Sequence, residues 1–178
     1  MGNPALISLG PGTLRTAPLG SSEPADILTA WPAAWVQMGY TFEGSEFSHS
    51  YATENVEVAE ELDPLAVQAT GRTGVLKFVT AEVTATNLQR ALNGGTITVG
   101  AGFVTFDPPS PTQLVYRMYG WESSALDERW IWRQCFAGGT MEVKRAKGAA
   151  KAGFSFELQV LKPSGVQPFR AIYTSARA

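Results

Sequence analysis

A period of two in side-chain character runs through the second half of the chain. Phe154, Phe156, Leu158 and Val160 are separated by Ser155, Glu157 and Gln159. Trp130, Trp132, Gln134 and Phe136 alternate with Arg129, Ile131, Arg133 and Cys135. Leu114, Tyr116 and Met118 alternate with Val115, Arg117 and Tyr119. Ile97, Val99, Ala101 and Phe103 do so with threonines and glycines, Met141 and Val143 follow the Gly138-Gly139 turn, and Phe169, Ala171 and Tyr173 close the series. A period of two belongs to strands with one buried and one wet face. Five or six such strands at hairpin spacing must bury those faces together. They predict an all-β fold of two antiparallel sheets, packed as a sandwich or curled into a barrel.

The first half has a different texture. Pro4, Pro11, Pro18, Pro24 and Pro32 interrupt residues 1–35 and predict an irregular N-terminal segment with one strand over Gly12–Gly20. The pair Trp31 and Trp35 reads as a packed aromatic corner. Val36–Phe42 is a strand candidate, and the polar run Glu43–Ser50 reads as turn. Residues 44–71 hold few large apolar side chains and predict a long projecting hairpin or loop that ends in an acidic turn. Arg72–Val83 is the next strand, with Leu76, Phe78 and Val79 as core residues. One short helix is expected at about 84–93. Thr84 can cap it, Ala85, Leu88 and Leu92 share a face, and Gly94 can take the left-handed conformation at its end.

Composition narrows the function. The 178 residues suffice for one domain, and neither a linker nor a repeat divides them. A hydrophobic share of 44% against 17% charged belongs to a folded chain. The net charge of −2 offers no basic excess for phosphates or an anionic membrane surface, and it repels further copies of the chain only weakly. No apolar run approaches the roughly 20 residues of a membrane span, and the start lacks the pattern of a signal peptide.

Candidate chemistry is sparse. His49 is the only histidine and Cys135 the only cysteine, so no intrachain disulfide, metal set or nucleophile–base pair can be assembled from them. The acids Glu57, Glu60, Glu61 and Asp63 crowd one segment and do not face one another across a cleft, as sugar hydrolysis requires. Neither a catalytic residue nor a cofactor is expected. The basic run Lys144–Lys151 reads as a solvated turn.

The order of segments adds a family resemblance. Gly12–Gly20 followed by Trp35–Gly44, then Val56–Pro64, then Val83–Gly94, resembles the major tail (tail tube) proteins of long-tailed, siphovirus-type phages of actinobacteria. These pieces cover most of residues 10–95. The resemblance implies subunits whose sheets join into a barrel around a channel. They form hexameric rings that stack into a hollow tube around a tape measure protein. Terminator and tail-tip or baseplate proteins close the two ends. The protein is then part of the virion tail, made in the host cytoplasm, and DNA passes its lumen without specific binding. On that basis Glu57, Glu60, Glu61 and Asp63, with Arg72 and Arg90 as partners, are candidate contacts between subunits or rings. Glu142 and Glu157 are candidate lumen residues. The competing reading is a carbohydrate- or receptor-binding β-sandwich of a tail tip, which would use the five tryptophans as platforms.

Overall fold

The computed structural model describes residues 10–57, 59–60, 63–113, 115–138 and 153–175. Ten strands and one helix follow in the order β1 Gly12–Pro18, β2 Val36–Gln37, β3 Thr41–Val56, β4 Ala66–Thr80, α1 Ala85–Ala91, β5 Thr96–Gly100, β6 Phe103–Asp107, β7 Arg117–Ser123, β8 Glu128–Ala137, β9 Phe154–Val160 and β10 Phe169–Tyr173. The all-β expectation holds. Eight strands form one antiparallel sheet in the order β2-β1-β7-β8-β9-β4-β3, with β10 also paired to β8. Strands β5 and β6 form a separate two-stranded sheet.

Both packed layers come from the one large sheet, and β8 is where it divides. The β8 residues Glu128–Trp132 pair with β10, whereas Cys135–Ala137 pair with β9. Beyond that fork β9, β4 and β3 turn back over β7 and β8. Leu14, Tyr119 and Trp132 from one half meet Leu76, Phe78, Phe156 and Leu158 from the other in a single buried cluster. The rings of Phe78 and Tyr119 lie 6.1 Å apart across it. Fully burying a side chain of this size is worth about 1.5–3 kcal/mol, so this cluster is the main source of stability.

A bulge corrects the alternation expected in β8. Arg117 opposes Cys135 and Tyr119 opposes Trp132, so Met118 of β7 stands against two residues of β8, Arg133 and Gln134. The extra residue flips the parity. Trp130 and Trp132 face the main cluster, and beyond the bulge Cys135 and Ala137 take the core side in place of Gln134 and Phe136. Residue-by-residue alternation cannot reveal an inserted residue.

The opposite face of β1, β7 and β8 is covered by the irregular segment before β2. Trp31, Trp35, Ala17, Met118, Ile131 and Ile172 form a second cluster there. Three arginines hold the segment down. Arg129 pairs with Glu122 and donates to the carbonyls of Asp26 and Thr29, both at 2.6 Å. Arg133 grips both carboxylate oxygens of Glu23, and Arg170 donates to the Ala25 carbonyl at 3.0 Å. Gly120 admits the Trp31 ring, because a Cβ there would sit 2.7 Å from Trp31 Cζ3. Trp31 and Trp35 are thus a packed corner, with ring centroids 4.7 Å apart.

Three further expectations change. The polar run Glu43–Ser50 is strand and not turn, because β3 pairs with β4 through it and only every second side chain needs an apolar setting. Gly44, at φ 80°, takes up the register slip between Thr41 and Ser45. The single strand expected over 96–103 is a hairpin that reverses at Ala101-Gly102. In α1 the Thr84 hydroxyl caps the helix by accepting from Asn87 N–H at 3.1 Å, as expected. The buried helix positions, however, are Asn87 and Ala91, with Leu88 packed beside them. Asn87 is tolerated inside because its amide donates to the carbonyls of Met38 and Glu82. Gly94 has the positive φ expected at the helix end, at 139°, and Asn93 before it is left-handed as well, at φ 55°. Its side chain pairs with both backbone groups of Ala137. The predicted strand residues Met141 and Val143 and the basic run 144–151 lie outside the described residues.

Candidate assembly surfaces

The β3–β4 hairpin is the most prominent feature outside the core. Strand β9 pairs with β4 only from Gly74 to Thr80. Beyond Gly74, β4 has β3 as its one neighbour in the sheet, and both strands become exposed. The base of the hairpin is anchored by Phe47, whose ring lies 5.4 Å from Trp132 and 5.2 Å from Phe169. From Tyr51 to Val56 the hairpin is a free two-stranded ribbon, about 20 Å long at strand rise. This is the projecting arm expected at 44–71, with its lower part seated on the body. Tyr51, Leu65 and Val67 are 59%, 62% and 66% exposed along it. Among the described residues the sheet ends at β3, and no described strand pairs with the outer backbone edge of that strand.

The predicted contact residues divide among three places. Glu57, Glu60 and Asp63 are exposed at the arm tip, and Glu61 lies outside the described residues. Arg72 stands opposite Tyr51 at the arm base, and its guanidinium reaches Gln167 Oε1 at 3.5 Å. Arg90 is on α1, which packs on β5, β6 and β9, and it donates to Asn87 Oδ1 at 2.9 Å. Burial and the neighbouring Arg117 draw its pKa below the usual guanidinium range. Glu157 lies on the outer face of β9, 3.6 Å from Lys77. Register places Glu46, Lys77 and Glu157 in one row across three strands. Glu142 lies outside the described residues.

One surface escaped the sequence reading. On the β5–β6 hairpin, Ile97 and Phe106 are partly covered, but Val99 and Val104 on the same face are 76% and 54% exposed. Phe103 is exposed too. An isolated two-stranded sheet is marginal in water. The signal lay in the sequence as β-branched residues at Ile97, Val99 and Val104, but a strand assignment alone does not say which face is left open.

Among the described residues no group of three or more His, Cys, Asp or Glu is placed to hold a metal ion. Cys135 is buried, and burial pushes its thiol well above the ordinary cysteine range. Trp35 and Trp132 are buried, and Trp130 packs against the core with its Nε1 donating to Glu128 Oε1. Tryptophans that fill a core do not present a stacking platform for sugars.

Residues 1–124 match the family model of a phage tail tube protein. The chain belongs to that family. No curated protein matches it. A tail tube protein is a structural, self-assembling component of the virion tail and not an enzyme. That role accords with a β-rich body carrying an arm. The match takes in β1 to β7 and so includes the whole arm.

Proposed function

We propose that this tail tube protein polymerises as hexameric rings stacked into the hollow tube of a siphovirus-type tail of an actinobacterial phage. The observation that carries the reading is the β3–β4 arm. Among the described residues its outer half has no supporting layer, and it ends in acids. A projecting element of this kind stabilises a contact with another copy and adds little to its own subunit. The outer edge of β3, which no described strand pairs with, supports the same reading, since pairing it with a neighbour removes an exposed edge. Contacts between unlike surfaces repeat without closing and build filaments.

In this reading Glu57, Glu60, Glu61 and Asp63 of the arm make ring contacts, with Arg72 and Arg90 as partners. Interface charges of this type set register more than affinity. Glu157, and Glu142 with it, face the lumen, where an acid-leaning wall repels phosphates and lets DNA slide. The tube encloses a tape measure protein and is closed by terminator and tail-tip proteins. Electron microscopy and sedimentation of the concentrated protein test the reading. Hollow filaments of uniform width or six-membered rings are expected. A strict monomer, both alone and with a tail-tip initiator complex, overturns it.

A further inference from the structure

We propose that a small cationic cavity at the base of the arm receives the acidic arm tip of a second copy of this chain. The inference rests on the assembly reading above and gives it a specific joint.

The cavity has a volume of about 50 Å³ and is lined by His49, Arg72 and Lys162, with Gly74, Val160 and Phe169 as walls. That exceeds the roughly 10–15 Å³ a single water needs, so a carboxylate group fits. No acidic side chain is among its lining residues, counted over the described residues. His49 Nε2 is buried and has no hydrogen-bond partner among the described residues. The imidazole is held by Tyr51 at 4.9 Å and Phe169 at 5.4 Å, both edge-on, which opposes its turning out to solvent. Arg72 reaches Gln167 only at 3.5 Å, the outer limit of a hydrogen bond. Buried polar nitrogens are rarely left unpaired in folded proteins. Three nitrogen-bearing side chains, one of them an orphaned ring nitrogen, describe a receptor for an oxygen anion.

The same chain carries the matching group. Residues 55–71 contain Glu57, Glu60, Glu61 and Asp63 and no lysine or arginine. The tip cannot reach its own cavity. Thirteen pairings tie β3 to β4, and the paired ribbon holds tip and base about 20 Å apart. The complementary groups therefore sit at opposite ends of one rigid element. Each copy offers a tip to one neighbour and a cavity to another, which is a head-to-tail joint that extends indefinitely.

A charge exchange tests the joint. One variant carries Arg72→Glu with Lys162→Glu, the other Glu60→Lys with Asp63→Lys. Circular dichroism confirms that each folds. Each alone is expected to lose at least tenfold in assembled fraction by sedimentation, and an equimolar mixture to recover filaments. Two outcomes overturn the joint: either variant assembling alone like the wild type, or two folded variants failing together. Wild-type tubes beside unaffected variants leave the tube reading standing and remove only the joint. A second measurement needs no tubes. His49 is the only histidine, so its imidazole proton signals are unique in the full chain. A synthetic peptide of residues 55–66 should shift them in the wild type and not in the Arg72→Glu, Lys162→Glu variant. Unmoved wild-type signals at millimolar peptide refute the pairing.

Discussion

Gly120 and Trp31 make a coupled pair whose energetics follow from the geometry. Gly120 lies in β7, opposite Arg15 on one side and Ile131 on the other. In an open strand, Gly120→Ala would help by about 0.5–1 kcal/mol, because glycine in a strand interior costs that much. Here the new Cβ would sit 2.7 Å from Trp31 Cζ3 and 3.0 Å from Trp35 Cζ3. Overpacking of this degree costs about 1–3 kcal/mol. The net expectation is a loss of about 1–2 kcal/mol. Trp31→Ala alone removes a ring that packs on the second cluster and stacks under the guanidinia of Arg15 and Arg129 at 5.6 and 5.3 Å, and should cost about 2–3 kcal/mol. In the double variant the clash with Trp31 is gone and Trp35, 3.0 Å from the new Cβ, can give into the vacated space, so Gly120→Ala should come close to neutral. The expected coupling is thus about 1–2 kcal/mol, beyond the few tenths seen between independent sites. Urea unfolding of the four proteins, followed by tryptophan fluorescence and checked by circular dichroism, measures it. Strict additivity, or Gly120→Ala stabilising in the wild-type background, would refute the claim that Trp31 seats the N-terminal segment on this strand.

Three other outcomes follow from the same contacts. Asn93→Ala removes both bonds to the Ala137 backbone and the left-handed tolerance of asparagine, and should lower unfolding free energy by about 1–3 kcal/mol in a urea titration. Cys135, buried with its thiol pKa pushed up, should react with a thiol reagent in native buffer only at the rate of unfolding, and at once in denaturant; rapid native labelling would contradict the β8 bulge. The Asp26 carboxylate is held below its ordinary pKa, first by the backbone N–H of Thr29, then by the Thr29 side chain and the N–H of Leu28. Its contribution is therefore present above the unfolded-state value of about 3.9 and lost as pH falls through the lower folded value. Asp26→Asn should flatten the stability profile in that acid range and nowhere else, as read from urea midpoints at a series of pH values.

Local pattern was enough for much of the outline. Phe154–Val160 reads as a one-sided strand and is one, since its inner residues meet the core and its outer residues meet water. Thr84 is legible as a helix cap because capping is a local hydrogen bond. The arm is legible in outline, because a long stretch without large apolar residues has no core to join. The strand character of Glu43–Ser50 was not legible. That run is polar because its outer face is wet, and its ladder partner lies some thirty residues away.

What the chain determines by itself is therefore the alternation, the helix cap, the acidic tip and the lack of reactive groups, all properties of neighbouring residues. Tertiary structure decides the rest. Only the folded sheet forks at β8 and doubles back, because a bulge and two competing edge partners act across separations that no local period encodes. Only the folded chain brings Glu23 to Arg133 and Ala25 to Arg170, fastening an irregular segment by charge and backbone bonds where periodicity is silent. Only folding places His49, Arg72 and Lys162 around one cavity, since the side chains come from β3, β4 and the segment after β9. Long-range convergence of side chains is a property of topology, and a linear pattern carries none of it.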